Sequence, residues 1–178
     1  MTDDEELRRK FITILSKQTS KSNTYKFALA RFLLDHSHKR DSSSTVSFQD
    51  IAKKFLKYYW HQECKYRIRQ NYNDKKPPSV IVVIKEVFGE GYIPNWGGAK
   101  PKQIKHAQEK IREKVFGIGY KSQVVPRFQK LKGQPDMHPF YDYDIPNGNL
   151  EIKPEALEFF HLNNKVLMKA VFLEWSKF

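Results

Sequence analysis

The chain has 178 residues, a net charge of +12 and a single cysteine, Cys64. One cysteine excludes an intrachain disulfide and a zinc site built from paired cysteines. Its first residues are charged and no run is apolar enough for a secretory signal or a membrane span. We therefore expect a single cytoplasmic domain with no membrane association.

Hydrophobic spacing predicts two helices in the first part of the chain. Residues 3–17 form the first helix, because apolar side chains recur there at helical spacing. The second helix covers residues 25–38, with Ser22 or Asn23 as its N-cap. A loop over residues 38–45 follows it.

A third helix has the clearest start signal. Ser47 and Asp50 form a variant of the capping box, and the helix is expected to continue to about Arg69. Residues 79–89 then fit either a buried strand or a short buried helix. We favour the helix, which Gly89 would terminate.

The next helix is amphipathic and covers residues 100–116, with Gly117 or Gly119 at its end. The stretch that follows is irregular, contains β-prone residues and is expected to form a small sheet of two or three strands. Within it, an Asn-Gly pair at residues 147–148 predicts a hairpin turn.

Pro154 is expected to open one long terminal helix. The resulting fold is a mainly α-helical single domain over residues 1–178, with a small β-hairpin element in its C-terminal third. We divide it into a basic body, residues 1–132, and a hairpin with the terminal helix, residues 133–178.

Positive charge is concentrated in the middle of the chain. Residues 100–132 contain ten basic and two acidic side chains, whereas residues 133–178 have a net charge of −3. Such a basic block predicts a polyanionic partner, and duplex DNA is the partner we favour. The candidate contact residues are Lys65, Arg67, Arg69, Lys75, Lys76, Lys100, Lys102, Lys105, Lys121, Arg127 and Lys130.

Arg127 is the most specific of these candidates. It lies between Pro126 and Phe128, two side chains with little conformational freedom. A guanidinium held in this way can bind a phosphate or a guanine through two parallel hydrogen bonds.

One alternative is a metal-dependent nuclease. Pro135-Asp136 followed by Glu151-Ile152-Lys153 matches the PD…ExK pattern, in which Asp136 and Glu151 would bind a divalent cation and Lys153 would position or activate water. The second strand of this pattern is short because Pro154 follows it at once. We therefore favour a surface hairpin, with no catalytic residue, metal or cofactor.

A second alternative is a protein-interaction module. The aromatic run Tyr58, Tyr59 and Trp60 would then form a surface that docks a partner chain. An aromatic run at helical spacing is more often part of a core.

Five segments are notable together, in chain order: SKSNTYKFALARFLLD, SFQDIAKKFLKYYW, VVPRFQ, YDYDI and EALEFFHLNNKVLMKAVFLEWSKF. They resemble the N-terminal non-catalytic region of a group of bacterial HNH endonucleases. The resemblance implies a recognition or accessory region of a restriction or phage-defence endonuclease. It also implies that the HNH module lies outside these residues, so no catalytic residue is assigned here.

Overall fold

A computed structural model describes residues 3–16, 24–39, 41–66, 68, 76–89, 98–117, 124–130 and 138–177. These residues form eight α-helices and a three-stranded antiparallel sheet, so the predicted mainly α-helical fold with a small β-element is confirmed. None of the helices in these described ranges has the length and apolar character to cross a membrane. The elements are α1 (Asp3–Ser16), α2 (Tyr25–His36), β1 (Thr45–Ser47), α3 (Phe48–Tyr59), α4 (Ser79–Phe88), α5 (Pro101–Ile111), α6 (Val124–Phe128), β2 (Tyr141–Asp144), β3 (Asn149–Ile152), α7 (Pro154–Leu162) and α8 (Asn164–Ser176).

The start of α3 confirms Ser47 as the predicted N-cap, whereas the Asp50 carboxylate bonds the Ser47 hydroxyl and not its backbone N–H. The Ser47 hydroxyl accepts the backbone N–H of Asp50 at 3.1 Å and donates to the Asp50 carboxylate at 2.6 Å. These bonds satisfy a backbone donor of the first turn, which has no partner inside the helix. The favoured helical interpretation of residues 79–89 is also correct, since α4 ends at Phe88 with Gly89 as its C-cap.

Helices α3 and α5 both finish in a π-helical turn, over Trp60–Lys65 and Arg112–Phe116 respectively. Gly117 follows the second turn, and a Cβ at this position would lie 2.4 Å from the Glu113 carbonyl oxygen. Only glycine fits so close to the backbone, which explains the residue type at the predicted end of the amphipathic helix.

The boundaries of α2 and α3 differ from the prediction. Thr24, not Ser22 or Asn23, is the residue before α2, and its hydroxyl lies 2.8 Å from the buried hydroxyl of Tyr59 instead of capping the helix. Regular α-helix in α3 ends at Tyr59 and continues as a π-helical turn to Lys65, four residues before Arg69, which lies outside the described residues. Burial of the Thr24 and Tyr59 hydroxyls therefore outweighs the local capping signal at the start of α2.

Two further predictions about the C-terminal part are wrong. Residues 124–128, expected to be irregular, form the short helix α6, because Val125 and Phe128 are buried against the core. The predicted terminal helix is two helices, α7 and α8, separated at Asn163. The Asn163 side chain donates to the Phe159 carbonyl at 3.0 Å and accepts from Arg8 at 2.7 Å, and these bonds compete with a continuous helix.

The sheet has the strand order β1-β3-β2. Its hairpin, β2 and β3, turns at Asn147-Gly148 as predicted, with Gly148 at a φ of 70° that favours glycine. Strand β1 lies partly in the predicted loop. It was not predicted because its three residues pair only with the distant β3, where Thr45 lies opposite Glu151.

Aromatic side chains form the centre of the core. Phe11 of α1 makes edge contacts with Phe128, Phe140 and Phe160, with ring centroids 5.5 to 6.4 Å apart. These contacts join α1 to α6, to the residue preceding β2 and to α7, so elements distant in the chain share one core.

Candidate nucleic-acid interface

Helix α5 is held against α3 and α4 by one face. Ala107 and Ile111 are fully buried. The Gln103 side-chain amide donates to the Val87 carbonyl at 3.3 Å, and Glu86 of α4 binds Lys110 and Lys114. These contacts determine how α5 is rotated about its axis and which side chains it presents to solvent.

The solvent-facing side of α5 begins with three lysines. Lys100 is at the N-cap position, and Lys102 and Lys105 lie in the first two turns after Pro101. All three side chains are exposed, and none of their ammonium groups has an ion pair or hydrogen bond with another residue in the described part of the chain. Their positive charge adds to that of the helix N-terminus, so this end of α5 attracts anions.

The positive charge in the C-terminal half of the same helix, including its π-helical turn, is largely neutralised by acidic side chains. Lys110 and Lys114 lie 3.2 and 3.0 Å from the Glu86 carboxylate, and their hydrogen bonds hold the pKa of that carboxyl below its usual value. Arg112 lies 3.8 Å from Glu113. The strongest unbalanced charge on α5 is therefore at its start.

Lys65 is linked to this end of α5 through the end of α4. Phe88 packs edge-on against Trp60 at 4.6 Å, and the neighbouring Val87 carbonyl accepts from Gln103 of α5. Lys65, in the π-helical turn that begins at Trp60, is exposed and has its ammonium 5.1 Å from the ring centroid of Tyr66. Sequence reasoning did not single out Tyr66, an exposed aromatic ring beside a candidate cation.

Arg127 lies at the opposite end of α5. Helix α6, which carries Arg127, contacts α2 and the π-helical turn Arg112–Phe116. This turn lies about ten residues after the three lysines, which corresponds to about 15 Å of helix rise. Arg127 itself is exposed between the buried Val125 and Phe128. The structure therefore holds Arg127 on a fixed backbone and separates it from the lysine cluster.

Of the remaining candidates, the structure describes two. Lys76 is exposed just before α4, and Lys130 is exposed just after α6. Arg67, Arg69, Lys75 and Lys121 lie outside the described residues.

Only part of the nuclease pattern is placed by the structure, since Asp136 lies outside the described residues. Glu151 is exposed in the central strand β3, and its partner in β2 is Asp142. The two carboxylates are engaged on different sides: Glu151 accepts from Thr45 of β1 at 2.6 Å, and Asp142 lies 3.2 Å from His138. Hydrogen bonds from Ser44 and Thr45 lower the pKa of Glu151.

Lys153 follows β3 and lines an open cleft of about 520 Å³ beside the start of α1. Lys10 in this cleft is paired with Glu6 at 2.5 Å, and the other charged lining residues are Asp3 and Glu155. The cleft is therefore lined by both basic and acidic side chains. Among the described residues, no group of three or more histidine, cysteine, aspartate or glutamate side chains is arranged to hold a metal ion.

The alternative prediction that Tyr58, Tyr59 and Trp60 form an exposed docking surface is wrong. Tyr58, Tyr59 and Trp60 are at most 3% exposed. Tyr58 donates to Asp35 at 2.5 Å, and Tyr59 packs near Trp175 of α8. These rings belong to the core because α3 is covered on this side by α2 and, through Trp175, by α8.

Comparison of the chain with protein-family models, with curated proteins and with solved structures gave no match.

Proposed function

We propose that this chain binds duplex DNA through the exposed side of α5 and acts as a recognition or accessory domain for an HNH-type endonuclease. The observation that carries the DNA-binding part is the group Lys100, Lys102 and Lys105. These lysines are exposed and unpaired, and they lie at the positive end of a helix whose rotation is fixed by packing.

Lysines in this arrangement suit the phosphate backbone better than the base edges. A lysine ammonium is a flexible point charge that binds phosphate without reading sequence. Lys65, exposed beside Tyr66, is a further candidate for phosphate contact. Arg127 is the candidate for a more specific contact, because its backbone is rigid and its guanidinium can form two parallel hydrogen bonds.

The endonuclease part of the proposal rests on the resemblance of five segments to the N-terminal region of HNH enzymes. Cleavage would then be carried out by a module supplied outside these residues, in restriction or phage defence. We expect an HNH module in the same or an adjacent reading frame, and a gene neighbourhood without one would contradict this part alone.

Binding to a short duplex, followed by fluorescence anisotropy, tests the DNA-binding part. If three lysines each neutralise one phosphate, affinity should fall about 40-fold between about 50 and 200 mM salt, from a slope of about −2.7 in log K against log salt. No binding at low salt, or binding that is indifferent to salt, would overturn the proposal.

A further inference from the structure

Three aliphatic side chains form an exposed apolar stripe at the junction of α7 and α8. Leu162 is 70% exposed, Val166 67% and Leu173 59%. Val166 and Leu173 are seven residues apart in α8, which places them on one side of that helix, and Leu162 is the last residue of α7, just before the break at Asn163. Single exposed leucines are ordinary on protein surfaces, whereas several on one helical line indicate a contact surface.

The stripe cannot be buried by turning α8. The opposite side of this helix carries Leu167, Val171 and Trp175, which are buried in the core. Phe27 stacks on Trp175 with ring centroids 6.1 Å apart, and the Asn164 side chain donates to the Leu34 carbonyl at 2.7 Å. Rotation of α8 would expose the buried side, so the stripe is a fixed feature of the surface.

The charges beside the stripe are positive over most of its length. Lys165 and Lys169 are exposed on α8 between Leu162 and Leu173, and neither has an ion pair with another described residue. Along the described residues of α7 and α8, the acidic side chains nearest the stripe in sequence are Glu158, one turn before Leu162, and Glu174, which is bonded to Lys177 at 2.5 Å.

We propose that this stripe is a docking site for an amphipathic helix of a partner protein. The partner helix would present apolar side chains every three or four residues and aspartate or glutamate along its edges. Helices that bind a helical surface use such spaced anchors, and the acidic edges would pair with Lys165 and Lys169.

A second copy of the chain fits this surface less well. In a twofold dimer the same patch faces itself, so Lys165 and Lys169 would approach the same lysines of the other copy. A lipid surface is also a poorer match, because three aliphatic side chains bury about as much hydrocarbon as one acyl chain, which gives only marginal membrane binding.

The test uses a display library of helical peptides, selected on the wild-type protein and counter-selected on the Val166→Asp variant. We expect enriched peptides with helical apolar spacing and net negative charge. The affinity of the protein for an enriched peptide, made by synthesis, should fall by about tenfold or more with Val166→Asp or with Leu173→Asp. The double variant Lys165→Glu with Lys169→Glu should cause a similar loss. Both apolar positions are exposed, so circular dichroism and the thermal midpoint should stay unchanged.

Lys102→Glu combined with Lys105→Glu is the matched control, and it should leave peptide affinity unchanged. The proposal is overturned if no peptide is enriched or if the enriched peptides bind Val166→Asp equally well. It is also overturned if Val166→Asp abolishes self-association in sedimentation or binding to vesicles of anionic lipid. Because DNA affinity is measured separately with the same variants, failure of this proposal and failure of DNA binding are distinguishable.

Discussion

The side chain of Gln129 completes the outer edge of strand β2 at Tyr141. Its amide donates to the Tyr141 carbonyl at 2.7 Å, and its oxygen accepts the Phe140 and Tyr141 backbone N–H groups at 3.2 and 3.4 Å. The Tyr141 hydroxyl donates in turn to the Val125 carbonyl at 2.7 Å. These bonds hold α6 on both sides of Arg127, so a buried glutamine and a buried tyrosine position an exposed arginine.

Gln129→Leu should therefore lower the free energy of unfolding by about 2–4 kcal/mol, because buried backbone groups at Phe140 and Tyr141 lose their partners. Urea denaturation followed by circular dichroism measures the change. Tyr141→Phe, which removes one hydroxyl donor, is the milder comparison. A Gln129→Leu protein as stable as wild type would show that these bonds contribute little.

Charge reversal at the start of α5 should abolish DNA binding without unfolding the protein. Lys102→Glu combined with Lys105→Glu removes two phosphate contacts, while acidic side chains near a helix N-terminus favour the helix. Anisotropy with a duplex measures the loss. Lys165→Glu combined with Lys169→Glu makes the same charge change on α8 and should weaken binding far less. Equal losses of DNA affinity for the two double variants would mean that binding depends only on the net charge of the protein.

Glu86→Gln should strengthen DNA binding and steepen its salt dependence. The substitution releases Lys110 and Lys114 from their carboxylate partner and so makes two more cations of α5 available. If both reach phosphates, the slope of log K against log salt becomes more negative by up to about 1.8. An unchanged or shallower slope would indicate that these lysines face away from the DNA.

Stability should decrease at alkaline pH because of buried tyrosines. Burial raises the pKa of Tyr25 to about 12, and burial also raises the pKa values of Tyr59 and Tyr141. A tyrosine in the unfolded chain ionises near pH 10, with a pKa of about 10. The stabilisation is therefore complete below about pH 10 and is lost as pH rises towards about 12, because only the unfolded state ionises in this window.

Titration of tyrosinate absorbance alongside circular dichroism tests this expectation. Ionisation of the buried tyrosines should coincide with loss of helix, and Tyr25→Phe should reduce the effect. Gradual ionisation near pH 10 with the helices intact would contradict it.

Glu151→Gln should leave DNA affinity unchanged within about twofold, because the side chain is exposed in β3 and already bonded to Thr45. Incubation of plasmid DNA with Mg²⁺ or Mn²⁺ tests the nuclease alternative directly. Metal-dependent cleavage by the wild type that Asp136→Asn or Glu151→Gln abolishes would favour that alternative over an accessory role. Asp142→Asn tests the carboxylate that the strand register places opposite Glu151.

Local signals were sufficient for several elements. The N-cap at Ser47, the Asn-Gly turn at residue 148 and the glycine at position 117 depend on interactions within a few residues, and each lies where it was predicted. The candidate lysines of α5 were also predicted, since exposed charge on an amphipathic helix follows from its pattern.

Short-range periodicity and composition are enough to predict the mainly helical class, the hairpin and the clustering of positive charge. The tertiary structure, in contrast, determines which charges remain unpaired. Glu86 is distant in the chain from Lys110 and Lys114, and Gln129 acts through strand β2. It also decided that Tyr58, Tyr59 and Trp60 are core and that α8 is apolar on two sides, because burial depends on which helices meet.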